Sequence, residues 1–339
     1  MVRPTHHERL NLRLSLLKLV PTMTKSTDDI LQSNNRYATT RYLTRQKPVV
    51  TNNQHDKIQF KLFSVSTAVG KMDGGLRRQG CFKLAIANQS LITVITIVYN
   101  GDKHLEQTIQ SVINQSCVNV EYIVIDGGST DGTLDIIRQY DAWIDYWVSE
   151  PDKGIADAMN KGLSLATGEY IVFIHADDYF ESSDSIKTTI QQSHRADIIV
   201  CDILYGTDLK KLSPRGFNFW INFKTGVYHQ AALCRHEVFN SIGGFDTDFK
   251  IAMDYDFFLR AYLHGLTIHK VPTVLSVMRD TGISSQTDWQ SLERRFNEEK
   301  MVHHRNIQSF HIKVFNKLFW YFYLPYRKIK YLFMERFNK

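Results

Sequence analysis

The stretch Tyr170-Ile-Val-Phe-Ile-His-Ala-Asp-Asp178 decides the fold. Its first five residues are β-branched, apolar or aromatic, as in a strand buried in a core. The strand runs straight into two adjacent carboxylates, Asp177 and Asp178. Adjacent like charges resist burial, so this position asks for a compensating partner. A divalent cation (Mg²⁺ or Mn²⁺) carrying a phosphorylated ligand meets that need. A solvated turn is the plain alternative, since Asp is a common turn residue.

Upstream, Ile92-Thr-Val-Ile-Thr-Ile-Val98 has almost no polar interruption, and Tyr99-Asn100-Gly101 breaks it. A helix follows, with Leu105, Ile109, Val112 and Ile113 on one face. Val120 to Ile125 is a second strand, Leu134 to Tyr140 a second helix. Ile144 to Val148 and Ile155 to Ala166 form a third pair, which makes Tyr170–Ile174 the fourth strand. Strands alternating with helices through short loops imply an α/β fold: a Rossmann-like open mixed sheet with helices on both faces. In such sheets ligands sit beyond the carboxyl ends of the strands. Asn100, Asp126 and Asp177 each follow a strand, so they are expected to converge on one cleft.

The net charge of +6 is uneven along the 339 residues. Residues 1–90 hold fifteen Lys/Arg against five Asp/Glu, and residues 310–339 seven against one, which leaves the middle at −10. An acidic centre with basic ends is not the pattern of a nucleic-acid binder. It suits an enzyme with a carboxylate-rich cleft. Cys81, Cys117, Cys201 and Cys234 form no Cys-x-x-Cys pair, which argues against a disulfide framework or structural zinc and for a reducing compartment. No apolar run reaches the roughly 18 residues of a spanning helix. Arg13 and Lys18 interrupt the apolar piece Leu10–Val20, and no small-residue cleavage site follows, against a secretory signal. Residues 1–90 are polar and basic, with Asn pairs at 34–35 and 52–53, and are expected to be poorly ordered or loosely attached. The ordered domain is expected over 91–285.

Two loops carry ligand-binding chemistry. Gly127, Gly128 and Gly132 flank Ser129, Thr130 and Asp131. Glycine lets a backbone approach a ligand, and the polar side chains can cap the next helix. Asp126 is placed to accept hydrogen bonds from a base or ribose; an ordinary capped loop is the alternative. Neither Gly-x-Gly-x-x-Gly nor a P-loop follows the first strands. Asp152 and Lys153 stand at the mouth of the expected cleft, beside Gly154. Asn160, on the next helix, is either a packing amide or a ligand contact.

Val94-Ile-Thr-Ile-Val-Tyr-Asn100, Val124-Ile-Asp126-Gly-Gly-Ser-Thr-Asp131-Gly-Thr133, Ser149-Glu-Pro-Asp152-Lys-Gly-Ile155, Asn160-Lys-Gly162 and His175-Ala-Asp177-Asp178 come in the order and spacing of the family 2 glycosyltransferases. Over about 91–285 the chain resembles that family, in its polysaccharide-biosynthesis type. The resemblance implies a GT-A fold, a nucleotide-sugar donor (a UDP-sugar first), a divalent metal and inversion by single displacement. It implies donor contacts at Tyr99, Asn100, Asp126, Gly128, Ser129, Asp152, Lys153, Gly154, Asn160 and Asp177. It implies a metal and diphosphate element at Asp177 and Asp178. His175 stands where the family often has Asp or Asn, which leaves open which of the two carboxylates holds the metal.

Downstream, His229-Gln230 resembles the family's segment beneath the acceptor site, so His229 is an expected acceptor contact; a structural histidine is the alternative. Asp254, where helical spacing begins, is an N-cap or, by the resemblance, the general base. Met253 stands where a Glu is frequent, which leaves Asp254 as the base and Asp256 as a second, acceptor-side candidate. The loop Thr281–Ser285 is expected to close on the diphosphate. The remainder, 286–339, is expected to be helical, from Trp289 to Gln308 and then from Phe310. This last stretch interleaves aromatic and basic residues, which suits the cytoplasmic face of a membrane; packing on the domain is the alternative. Pro325 is expected to break or kink it. The whole implies transfer of a sugar to a lipid-linked saccharide. A nucleotidyltransferase should carry a Gly-rich basic loop after the first strand, which Tyr99-Asn100-Gly101 is not. A nucleotide-sugar- or carbohydrate-binding protein without turnover is the other alternative: Asp126, Asp178 and Asp254 argue against it, and His175 and Met253 leave it open.

Overall fold

Strand β1 (Ile30–Leu31) pairs with β2 (Leu43–Thr44); β3 (Met72–Gly74) and β4 (Phe82–Lys83) follow. The computed structural model describes residues 30–31 and 37–337, apart from 51, 53–55, 85, 118 and 283–284. Leu10–Val20, the Asn pair at 34–35 and Asn53 therefore lie outside the described residues.

Strands β5 (Ile92–Val98) and β6 (Val120–Asp126) are buried along their whole length. Uninterrupted apolar strands of this kind belong at the centre of a sheet covered on both faces. Helices α1 (Asp102–Ile113), α2 (Thr133–Gln139) and α3 (Ile155–Leu165) alternate with β6, β7 (Tyr146–Ser149) and β8 (Tyr170–Phe173). β5 runs parallel to β6 and to β8, and β6 parallel to β7. The sequence reading holds here to within a few residues.

The second half adds β9 (Tyr179–Phe180), α4 (Ser185–Gln192), β10 (Ile198–Tyr205), β11 (Lys210–Leu212), β12 (Ala232–Arg235), α5 (His236–Ile242), α6 (Met253–Leu263), β13 (Ile268–Met278), α7 (Trp289–Asn306) and α8 (Phe310–Phe337). Among the described residues the main sheet runs β3-β7-β6-β5-β8-β12-β10-β13-β9, with β11 paired to β10. It is mixed, since β12 lies antiparallel between β8 and β10. Registers set the site: Val98 faces Asp126, and Asp126 faces Ser149. The loops after these three residues therefore emerge side by side from one edge.

The described part of the N-terminal segment corrects an expectation: it is docked, not loosely attached. β3 joins the main sheet alongside β7, with Met72 opposite Ser149. Arg77 pairs with Glu121 at 2.6 Å, and both side chains are buried. Arg77 also donates to the carbonyls of Leu62 (3.0 Å) and Leu165 (2.9 Å). Buried Lys83 donates to the Thr39 and Arg41 carbonyls. Composition makes this segment look solvated, but two of its cations are enclosed by partners far along the chain.

At the other end, α7 packs on α6, and Leu292, Phe296 and Trp320 join α7 to α8. Of the break or kink expected at Pro325, the break does not occur: α8 continues through it. Both Pro325 and Tyr321, whose carbonyl loses its donor, lie on the exposed side, where water can take that place. Among the described residues no helix is long and apolar enough to cross a membrane.

Candidate active site

The loops on that edge enclose a cleft of about 680 Å³. Tyr99 and Asn100 form one side; Tyr99 is 67% exposed, with its ring available for stacking. Asn100 has φ 49°, a left-handed conformation that short polar side chains tolerate. It is held there by the neighbouring loop. Its N–H donates to Ser129 Oγ (2.8 Å), and its Oδ1 accepts from the Thr130 N–H (2.9 Å). Asp126 is buried behind this contact. It accepts from the Ser129 N–H and hydroxyl and from Ser149 Oγ at 2.6 Å. The third loop brings Asp152, whose Oδ1 accepts from the Gly154 N–H at 2.7 Å. A Cβ at Gly127 would lie 2.5 Å from Asp152 Oδ2, so a larger residue there would displace the Asp152 carboxylate. Burial raises the Asp152 carboxyl above its ordinary range.

The two carboxylates after β8 have different surroundings. Asp178 is 2% exposed, accepts from the Arg279 N–H at 3.0 Å and bonds the Gln230 side chain. Burial, then the charge of Asp177, pushes its carboxyl well above the usual carboxylate range. Asp177 is half-buried and lines the cleft, and its Oδ2 accepts from Thr281 Oγ1 at 3.1 Å. The remaining coordination of Asp177 is open to a ligand. Among the described residues no group of three or more His, Cys, Asp or Glu could cage an ion. Mg²⁺ needs no such cage, because one or two carboxylates with substrate phosphates suffice. Asp177 fits that mode. Lys103, Lys250 and Arg279 supply positive charge around the cleft. Arg279 is fixed by donating to the Asp177 carbonyl and to Gln107, and by lying over the Tyr179 ring.

Opposite them stand His229 and Asp254. His229 Nδ1 is 3.3 Å from Asp254 Oδ2. Asp254 lies in the first turn of α6, where the helix dipole favours negative charge. Its other oxygen accepts from the Tyr255 N–H at 2.7 Å. His175 packs beside His229, with ring centroids 4.7 Å apart. The Nε2 atoms of both rings are buried without a partner. Burial, then the neighbouring His229, holds the His175 imidazole well below its usual pKa. The cleft thus joins a carboxylate able to accept a proton to a cationic end able to hold phosphates.

The sequence profile of Glycosyl transferase family 2 matches residues 93–256. An uncharacterized glycosyltransferase of Mycobacterium tuberculosis is 34% identical over 207 residues, covering 58% of this chain and 78% of that protein. The chain belongs to glycosyl transferase family 2. A PGL/p-HBAD biosynthesis glycosyltransferase of Mycobacterium bovis is 28% identical over 187 residues, covering 51% of this chain and 70% of that one. Among solved structures, the mannosyltransferase PcManGT of Pyrobaculum calidifontis, in complex with GDP-Man and Mn²⁺, superposes with a TM-score of 0.54 at 18% identity. That match covers 73% of this chain and 74% of the other, and it supports the GT-A fold.

In this glycosyltransferase the cleft is lined by Tyr99, Asn100, Asp152, Gly154, Asp177, Asp178, His229 and Asp254 among the expected site residues. Other expected contacts are elsewhere. Asp126 is enclosed by its own loop and Ser149, so it shapes the Asn100 loop; Ser129 does the same, and Gly128, at φ 83°, turns the backbone against Pro151. The Lys153 side chain is exposed outside the cleft, and Lys250 lines it instead, donating to the Lys153 carbonyl at 3.1 Å. Asn160 is a packing amide: it donates to the Phe245 carbonyl (2.7 Å) and accepts from the Phe245 N–H (2.8 Å). Asp256 is buried, 2.8 Å from Arg260 Nε and 2.7 Å from Asn306 Nδ2, so it locks α6 rather than meeting an acceptor. Sequence reasoning missed His175, Lys103, Lys250 and Arg279. Arg279 immediately follows a strand, which was a usable signal; Lys250 sits in an irregular turn and gave none.

Proposed function

We propose that this glycosyltransferase moves a sugar from a nucleotide-sugar donor to a hydroxyl acceptor, by a single inverting displacement. The observation that carries the reading is the single cleft with Asp177 and its cations at one end and the His229–Asp254 pair at the other. Tyr99 and Asn100 hold the nucleoside, and Lys103, Lys250 and Arg279 draw in the diphosphate. Asp254 takes the proton from the acceptor hydroxyl as it attacks the anomeric carbon. His229, donating from Nδ1, keeps that carboxylate aimed. Asp177 would hold the metal, which when bound offsets the charge on the departing diphosphate. PcManGT, solved with GDP-Man and Mn²⁺, supports the metal and the donor class.

For the acceptor we infer a lipid-linked saccharide met at a membrane surface, the cytoplasmic face. α8 exposes Phe310, Phe315, Tyr321, Phe322, Ile329 and Phe333, among Lys313, Lys317, Lys328 and Lys330. Exposed Phe219 and Trp220 extend this apolar face through Phe223, whose ring contacts Phe319 of α8. Aromatic and basic residues so mixed suit the boundary between headgroups and acyl chains. The test is sugar transfer and donor hydrolysis with UDP-, GDP- and dTDP-sugars, with and without Mg²⁺ or Mn²⁺, beside Asp177→Ala and Asp254→Ala. Metal-dependent turnover with one donor, lost in both variants, supports the reading. Donor binding without turnover across lipid and sugar acceptors would point to a binding protein instead.

A further inference from the structure

A second cleft, of about 610 Å³, opens between the end of β10, α7 and α8. Arg295, Arg327 and Lys330 line it, with the hydroxyl-bearing residues Tyr205, Ser285 and Tyr331. Two of the cations are set by packing. Arg327 lies over the rings of Phe296 (5.3 Å) and Tyr323 (5.7 Å) and donates to the Tyr323 hydroxyl at 2.8 Å. Arg295 lies over the same Phe296 ring at 5.6 Å. The same ring also carries the Lys224 ammonium at 4.7 Å, so three cations gather on it against the one buried carboxylate of Glu299, which pairs with Lys224 and also acts on Arg295. Glu335 also lines the cleft, but among the described residues Arg327 and Lys330 form no ion pair. Ser285 Oγ is buried without a hydrogen-bond partner.

We propose that this cleft binds the phosphate headgroup of an anionic lipid while α8 lies in the membrane interface. Guanidinium forks and an ammonium match tetrahedral phosphate oxygens, and Ser285 can donate its hydroxyl proton to one of them. The lipid source follows from continuity: Lys330 and Met334 line the cleft on the same helix whose Ile329 and Phe333 are exposed. A headgroup there leaves its acyl chains beside the apolar face. The site also abuts the catalytic cleft. Gly282 lines the first cleft, and its carbonyl accepts at 3.0 Å from the N–H of Ser285, which lines the second. The inference rests on the docking of α8 at a membrane.

The experiment is co-sedimentation of the full chain with phosphatidylcholine vesicles, plain or with about 30% phosphatidylglycerol. Wild type is compared with Arg327→Gln/Lys330→Gln and with a charge-matched pair outside the cleft, Lys313→Gln/Lys317→Gln. Diffuse attraction weakens binding about equally in both pairs, about fivefold per cation removed. A headgroup site makes the cleft pair at least tenfold weaker than the matched pair. Lys330→Glu, at an exposed position, gives the same readout should the Arg327 change disturb packing. Equal loss in the two pairs overturns the cleft while leaving membrane docking intact. No binding of wild type to either vesicle overturns both. Thermal stabilisation by glycerol phosphate without preference for anionic vesicles overturns the lipid assignment in favour of a soluble phosphate.

Discussion

His229 Nδ1 stands 3.3 Å from Asp254 Oδ2, across 25 residues of chain. A carboxylate only accepts, so the imidazole donates from Nδ1, and Nε2 is its other polar atom. That atom is buried and unpartnered, beside the equally unpartnered Nε2 of His175. Asp254→Asn keeps the shape and removes the base, so transfer is expected to fall by about 10²–10⁴-fold with donor affinity nearly unchanged. His229→Phe is expected to cost less, about tenfold in turnover, through loss of aim alone. Steady-state kinetics beside donor calorimetry separate these. A large loss of donor affinity in Asp254→Asn would move that residue to the donor side.

Asn160 offers the opposite test, because its two bonds tie α3 to the turn at Phe245. Asn160→Ala leaves a backbone N–H and a carbonyl without those partners, at a cost of about 1–3 kcal/mol. Urea melts should show the loss, and the donor KM should hold. A raised KM at unchanged stability would restore Asn160 to the donor site.

The Arg77–Glu121 pair makes the N-terminal segment part of the folded unit. Arg77→Met strands Glu121 in the core, and removing one partner of a buried pair costs about 3–5 kcal/mol. Thr93 and Thr167 still donate to Glu121, so the outcome should fall at the lower end. Accelerated proteolytic release of the segment before β5 is the matching observation. Unchanged stability and unchanged proteolysis would show that the docking adds nothing.

What the sequence revealed follows the range of the interactions. β5, β6 and β8 were legible because strands buried on both faces lack polar alternation, and that pattern is local. Asn100, Asp152, Asp177 and Asp254 were legible because each sits at the end of a strand or the start of a helix. Arg77 was not, since its partner lies 44 residues away and nothing near it hints at burial. Asp256 looked like a site residue only until Arg260 and Asn306 closed around it. His175 opens the turn that ends at Asp178, whose N–H donates to its carbonyl at 3.0 Å, so its place beside the cleft was visible only through that turn.

His303 links the C-terminal helices to α6 and titrates with a definite sign. Its Nδ1 accepts from the Trp320 indole N–H at 3.0 Å. Nε2 must then carry the proton and donate to the Tyr255 oxygen at 2.7 Å, and the Tyr255 hydroxyl donates to the Ile221 carbonyl at 2.7 Å. Burial, helped by the Lys224 charge, lowers the imidazole from 6.5 to about 3. A second proton would sit on Nδ1, facing the Trp320 donor. The folded value lies below the unfolded one, so this stability is full above about pH 6.5 and is lost as pH falls toward 3. Over the whole window the loss reaches at most about 4–5 kcal/mol. Glu299 acts in the opposite sense, because burial raises its carboxyl and its protonation on acidification favours the fold. The contribution of His303 itself should therefore weaken as acid is added below about pH 6.5, with Glu299 opposing it, and comparison of urea melts with a His303 variant isolates it. His303→Gln should be less stable at pH 7 yet show a flatter pH dependence over that interval. A variant as steep as wild type would assign the acid sensitivity to another group.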